Sequence, residues 1–96
     1  MKYKKLDMNE MKSNGTSLKG YVETTYKNIT KKLGEESFYE NSSEEKTQSE
    51  WILEFKDGKI ATIYNYKTGR TPIEKYDWHI GGHDVEVVKR VQDILS

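Results

Sequence analysis

The chain has 96 residues, 33% of them charged and 33% hydrophobic, with Lys plus Arg and Asp plus Glu at 16 each. That length fits one small domain, and the zero net charge excludes the basic footprint of a nucleic-acid binder and the acidity of a DNA mimic. The absence of cysteine excludes disulfides, zinc ribbons and thiol nucleophiles, and points to the cytoplasm.

Residues 1–18 are polar, with Tyr3, Leu6, Met8 and Met11 scattered among charges. They read as a mobile tail. Basic residues near the start have no apolar run behind them, so no signal peptide is read there. Residues 19–96 read as a single domain. From Lys19, "KGYVETTY" is rich in β-branched and aromatic residues and predicts a strand. "TYKNITKKLG" predicts a short helix, with Thr25 as N-cap and Gly34 at the left-handed C-cap position. The acidic, Ser-rich stretch over 35–49 has no periodicity and reads as a surface loop.

"EWILEFKDGKIATIYNYK" predicts a hairpin around Asp57-Gly58. A two-residue loop there would set Phe55 opposite Ile60, Leu53 opposite Thr62 and Trp51 opposite Tyr64. One face would then carry Trp51, Leu53, Phe55, Ile60 and Tyr64. Gly69 and Pro72, the single proline, mark a turn. "EKYDWHI" predicts a further strand. "DVEVVKRVQDIL" predicts an amphipathic helix capped by Asp84, with Val87, Val88, Val91, Ile94 and Leu95 as its apolar stripe. The fold class expected is therefore α+β, in the order β-α-β-β-β-α, an antiparallel sheet with two helices packed on one face.

Both histidines lie in Asp77–Asp84, "DWHIGGHD". His79 and His83 are four residues apart, which suits two metal ligands on one helical face. Gly81 and Gly82 between them make a poor helix, so no metal site is expected. The chain has no Gly-x-Ser-x-Gly elbow and no Walker-type loop. No enzyme activity and no cofactor are expected. Two readings of the Gly-Gly step remain open. In the first it is a strand-to-helix turn with Trp78 in the core. In the second its amides, at a helix N-terminus, receive an anion. Lys67 and Arg70 would then supply charge, Asn65 an amide, and Trp78, His79 and His83 would complete the ligand-binding set with Gly81 and Gly82.

The motifs "GYV-x-TTY", "DG-x-x-ATIYN" and "WHIGG" together resemble a group of small phage-encoded proteins, over roughly residues 19–95. The resemblance implies a counter-defence factor in the infected bacterial host. Two mechanisms follow from it. One is sequestration, without turnover, of a nucleotide-derived immune signal, as in anti-Thoeris and anti-CBASS sponges; the ligand would be a cyclic ADP-ribose isomer or a cyclic oligonucleotide. The other is an anti-CRISPR protein that inhibits a Cas effector by direct protein–protein binding. So small a chain can hardly enclose a dinucleotide-sized ligand alone, which makes a homo-oligomer the expected form of a sponge. Neither a membrane nor sequence-specific nucleic acid is an expected partner.

Overall fold

A computed structural model describes residues 2–6, 15–39, 49–66, 68 and 70–96 of the chain. The elements are β1 (Tyr3–Leu6), β2 (Ser17–Thr24), α1 (Tyr26–Leu33), β3 (Phe38–Tyr39), β4 (Ser49–Phe55), β5 (Ile60–Tyr64), β6 (Tyr76–Gly82) and α2 (Glu86–Leu95). The fold is α+β. Its sheet is antiparallel throughout, ordered β1-β4-β5-β6-β2, with β3 pairing β4 at Ser49 and Glu50. Two strands were not expected. One is β3, inside the stretch read as loop. The other is β1, inside the stretch read as a mobile tail: Tyr3–Leu6 pairs Ile52–Phe55, and Leu6 is buried. The chain's first strand thus forms one margin of the sheet and its second strand the other.

Local chemistry explains the helices. Thr25 sits in extended geometry before α1, and its hydroxyl accepts from the Asn28 amide at 3.1 Å. Gly34 closes the helix at φ 84°, a conformation that glycine adopts without strain. Ile29 and Leu33, one turn apart, are the buried residues of α1, and Val87, Val91 and Leu95 those of α2. Asn28 links the two helices by donating to the Leu95 carbonyl at 2.8 Å. Both helices cover one face of the sheet, where Trp51, Leu53, Phe55, Ala61, Ile63, Trp78 and Ile80 form the main core.

The hairpin lies where Asp57-Gly58 predicted it, but its register is one residue away. Trp51 faces Ile63 and Leu53 faces Ala61. The loop has three residues, not two. Phe55 donates to the Lys59 carbonyl and Gly58 to the Phe55 carbonyl, both at 2.8 Å, with Gly58 at φ 88°. This is the turn-plus-bulge hairpin, in which only the final residue needs positive φ. Side chains alternate across a strand, so one step of register exchanges the faces of a whole strand. Ile60, Thr62 and Tyr64 therefore lie on the face away from the helices, and Ala61 and Ile63 on the core face.

The hairpin tip is tied to α2. Asp57 accepts two hydrogen bonds from Arg90, at 3.0 and 2.8 Å. These bonds hold the Asp57 carboxyl at about 2, below its ordinary 3.8. A depressed carboxyl stabilises the fold above its unfolded value and loses that contribution as pH falls through the folded one. The wild-type urea midpoint should therefore fall between pH 3.8 and about 2. Asp57→Asn should flatten that part of the profile, and an unchanged slope in the variant would refute the assignment.

Candidate functional site

Of the eight residues singled out in the sequence, the seven that are described do not converge. Gly81 and Gly82 are not a turn before the helix; they are the last residues of β6. They pair with Leu18 and Ser17 on one side and with Thr62 and Ala61 on the other. Their backbones belong to the interior of a sheet, and an anion has no access to them. The helix start is closed as well. The Asp84 carboxylate accepts from the Glu86 amide at 2.9 Å and from Lys59 Nζ at 3.2 Å.

Trp78 is wholly buried, with its ring 5.5 Å from Trp51 and 5.4 Å from Tyr76. It is a core residue, not a ligand contact. Asn65 is buried too and holds the loop after β5 in place. Its Oδ1 accepts from the Ser49 amide at 2.9 Å, and its Nδ2 donates to Thr68 Oγ1 at 2.6 Å. Arg70 is exposed, pairs with Glu74 at 3.5 Å, and lines a small cleft beside Tyr76. Strands rise about 3.3 Å per residue, so Tyr76 and Gly82 stand roughly 20 Å apart along β6. Arg70 is thus at the wrong end of the strand to act with the glycines. His83 is exposed beyond β6, near Gly15. Lys67 lies outside the described residues.

His79 is the one member of the set at the centre of a distinctive arrangement. The registers place Glu50, Tyr64, His79 and Tyr21 in one row across β4, β5, β6 and β2, on the face away from the helices. Four tyrosine rings surround the imidazole, with centroids at 5.1 Å (Tyr21), 5.3 Å (Tyr64), 5.8 Å (Tyr66) and 6.2 Å (Tyr76). The Tyr76 hydroxyl lies 3.4 Å from His79 Nδ1 and accepts from the Tyr66 amide at 3.2 Å. Tyr21 is 48% exposed and Tyr66 41%, so two rings of the cluster are open to a partner. Gly81 allows this packing. A Cβ there would meet Thr62 Oγ1 at 2.6 Å and Tyr64 Cε1 at 3.4 Å.

The electrostatics immediately around this cluster disfavour phosphate. The row ends in Glu50, and Glu23 stands directly opposite Asp77 in the adjoining position. Burial raises the Glu50 carboxyl above its ordinary value, and burial also raises the Tyr64 phenol. Burial lowers the His79 imidazole, only partly offset by Asp77, so the ring favours its neutral form. The face offers neutral aromatic rings with carboxylates beside them. It suits apolar or cationic groups.

Sequence reasoning missed Tyr21, Tyr64 and Tyr66 as site residues. The available signal was the period-two alternation, which puts Tyr21 on the face opposite Val22. It could be followed across the sheet only with the correct hairpin register.

The fold and site together define a small antiparallel α+β protein with a tyrosine–histidine cluster on the open face of its sheet. No protein-family model matches the chain, and neither does any curated protein or solved structure. No helix among the described residues is long and apolar enough to cross a membrane. Among them, no group of three His, Asp or Glu is placed to hold a metal ion.

Proposed function

We propose that this chain is a non-catalytic counter-defence protein of phage origin. It acts in the host cytoplasm by binding a bacterial defence effector, and the tyrosine–histidine face is its contact surface. The observation that carries this reading is the half-exposed pair Tyr21 and Tyr66 packed around His79. Tyrosine is enriched in the energetic centres of protein interfaces, because it brings large area at low entropic cost. Rings already packed on one another are preorganised, which lowers the cost of binding. A Cas nuclease is the effector class the sequence resemblance implies.

Capture of a nucleotide signal is the second reading. The Gly-Gly step and Arg70 do not support it, since they stand at opposite ends of β6. Stacking of a base on Tyr21 would be compatible with the rings, but Glu23, Glu50 and Asp77 oppose the phosphates.

A pull-down from a susceptible host lysate tests the proposal. Wild type should retain one large partner in stoichiometric amount. The double variant Tyr21→Ala/Tyr66→Ala should lose it by at least about tenfold in affinity, roughly 1.4 kcal/mol, without unfolding. Retention of a small molecule alone, or equal capture by the double variant, would refute it. Sedimentation distinguishes a second copy of the chain on the same face: a wild-type dimer that the double variant dissociates would assign the surface to self-association.

A further inference from the structure

We propose that the groove at the β4–β5 hairpin is a binding site for a phosphate-bearing small molecule of nucleotide size. The groove is lined by Lys2, Tyr3, Lys4, Glu54, Phe55, Lys56 and Gly58; it is largely open to solvent, with a volume of about 450 Å³. Small-molecule pockets span roughly 300–1,000 Å³.

Its charge pattern follows from the register. Tyr3 pairs Phe55 and Lys4 pairs Glu54, and the Lys56 amide donates to the Lys2 carbonyl at 2.9 Å. Lys2 and Lys56 are thus cross-strand neighbours. By alternation Lys2, Lys4, Glu54 and Lys56 share one face of the sheet. Like charges in that relation are destabilising unless something neutralises them. The acids nearby do little of this. Glu54 is 3.7 Å from Lys4. Asp57, the carboxylate of the turn itself, is held in a two-bonded pair by Arg90. Neither Lys2 nor Lys56 pairs with a carboxylate among the described residues. Three ammonium groups against one carboxylate leave a surplus that a phosphate or diphosphate would balance. Tyr3 and Phe55, edge to face at 6.1 Å, alternate to the opposite, core face, so recognition at this groove rests on the three ammonium groups. This site lies on the same sheet face as the tyrosine–histidine cluster but at the other end of β4 from Glu50, and its failure would leave the effector-binding reading untouched.

The test is calorimetry on the full chain at about 0.1 M salt, with inorganic pyrophosphate and ADP as probes. Each should saturate a single site, and pyrophosphate should displace ADP. The variant Lys2→Gln/Lys4→Gln/Lys56→Gln should weaken both by at least about tenfold, the scale of a 1.4 kcal/mol loss. Lys31, Lys32 and Lys89 are exposed on the helices. Their triple replacement by Gln makes the same charge change and should shift affinity by less than about twofold, because screening confines the attraction to about 10 Å at moderate salt. Equal weakening by both triple variants would show a diffuse charge effect and overturn the site. So would a wild-type titration without saturation, or ADP binding that pyrophosphate does not compete with. Should the first triple variant fold poorly, Lys56→Gln alone, at an exposed turn position, should weaken both probes severalfold; an unchanged affinity would overturn the site equally.

Discussion

Gly82→Val should unfold this protein or lower its urea midpoint more than any other single change at the Gly-Gly step. A Cβ at this position would lie 2.8 Å from Val87 Cγ2 and 2.9 Å from the Ile60 carbonyl oxygen. The first neighbour is a stiff, fully buried side chain of α2. The second is backbone of the adjacent strand and cannot swing aside. Overpacking a dense interior costs about 1–3 kcal/mol and sometimes more. Two blocked directions and a branched side chain put this variant at or above the upper end. Total stability for a small domain is about 5–15 kcal/mol, so the loss is large in proportion. The cause is close packing of α2 on the sheet, not a left-handed backbone, since Gly82 is not among the positive-φ glycines. Gly81→Ala also clashes, with Oγ1 of the buried Thr62 at 2.6 Å, but its nearest backbone contact is the Ser17 carbonyl at 3.4 Å and it adds only an unbranched methyl, so it should cost less. Urea melts of both variants check the order, and a milder Gly82→Val would show that α2 can lift away.

Trp51→Ala is the second large effect, at about 3–5 kcal/mol for a fully buried aromatic. Trp51 is 0% exposed, and its ring meets Tyr26 at 5.8 Å and Trp78 at 5.5 Å. Its indole N–H also donates to the Gly34 carbonyl at 3.0 Å, the residue that ends α1. Removal therefore opens a cavity and strips a partner from a helix terminus. The conservative change separates these effects. Trp51→Phe loses the hydrogen bond. Trp78→Phe loses none, because Trp78 Nε1 is buried with no hydrogen-bond partner among the described residues. A buried donor left unpaired costs about 1–3 kcal/mol, so removing that N–H offsets part of the lost volume. Trp78→Phe should be the milder of the two by denaturant titration. Equal or reversed losses would contradict this reading of the two indoles.

Much of the fold was legible because the local signals agreed with the tertiary arrangement. Thr25 and Gly34 bracket α1 as read from the sequence. Asp57-Gly58 marks the hairpin, and the stripe Val87, Val91 and Leu95 faces the core. The strand β1 was not legible. Its four residues are two adjacent lysines between one aromatic and one aliphatic residue, with no alternation to mark a strand, and its pairing with β4 is entirely non-local. The register of the hairpin was missed for a turn-chemistry reason. Asp-Gly suits both a two-residue loop and the longer loop ending in a left-handed glycine, and the difference exchanges the two faces of a strand. That single step hid the site. With Tyr64 assigned to the face of Trp51, Leu53 and Phe55, its neighbours Tyr21 and His79 could not be seen as one row. The Gly-Gly step misled in another way. Glycines before a helix can mark an anion-binding turn, but here the missing side chains admit Val87 from one side and Thr62 from the other.

The order of the strands has a consequence for how the chain is made. Both margins of the sheet come from segments translated before their partners: β1 waits for β4, and β2 waits for β6. Synthesis proceeds from the N-terminus, so residues 17–24 emerge and remain without a neighbour until nearly the whole domain has left the ribosome. Pairings that bridge such long stretches of chain slow folding. During that interval an unclaimed strand carrying Leu18, Tyr21 and Val22 is available to chaperones, or to a second nascent copy.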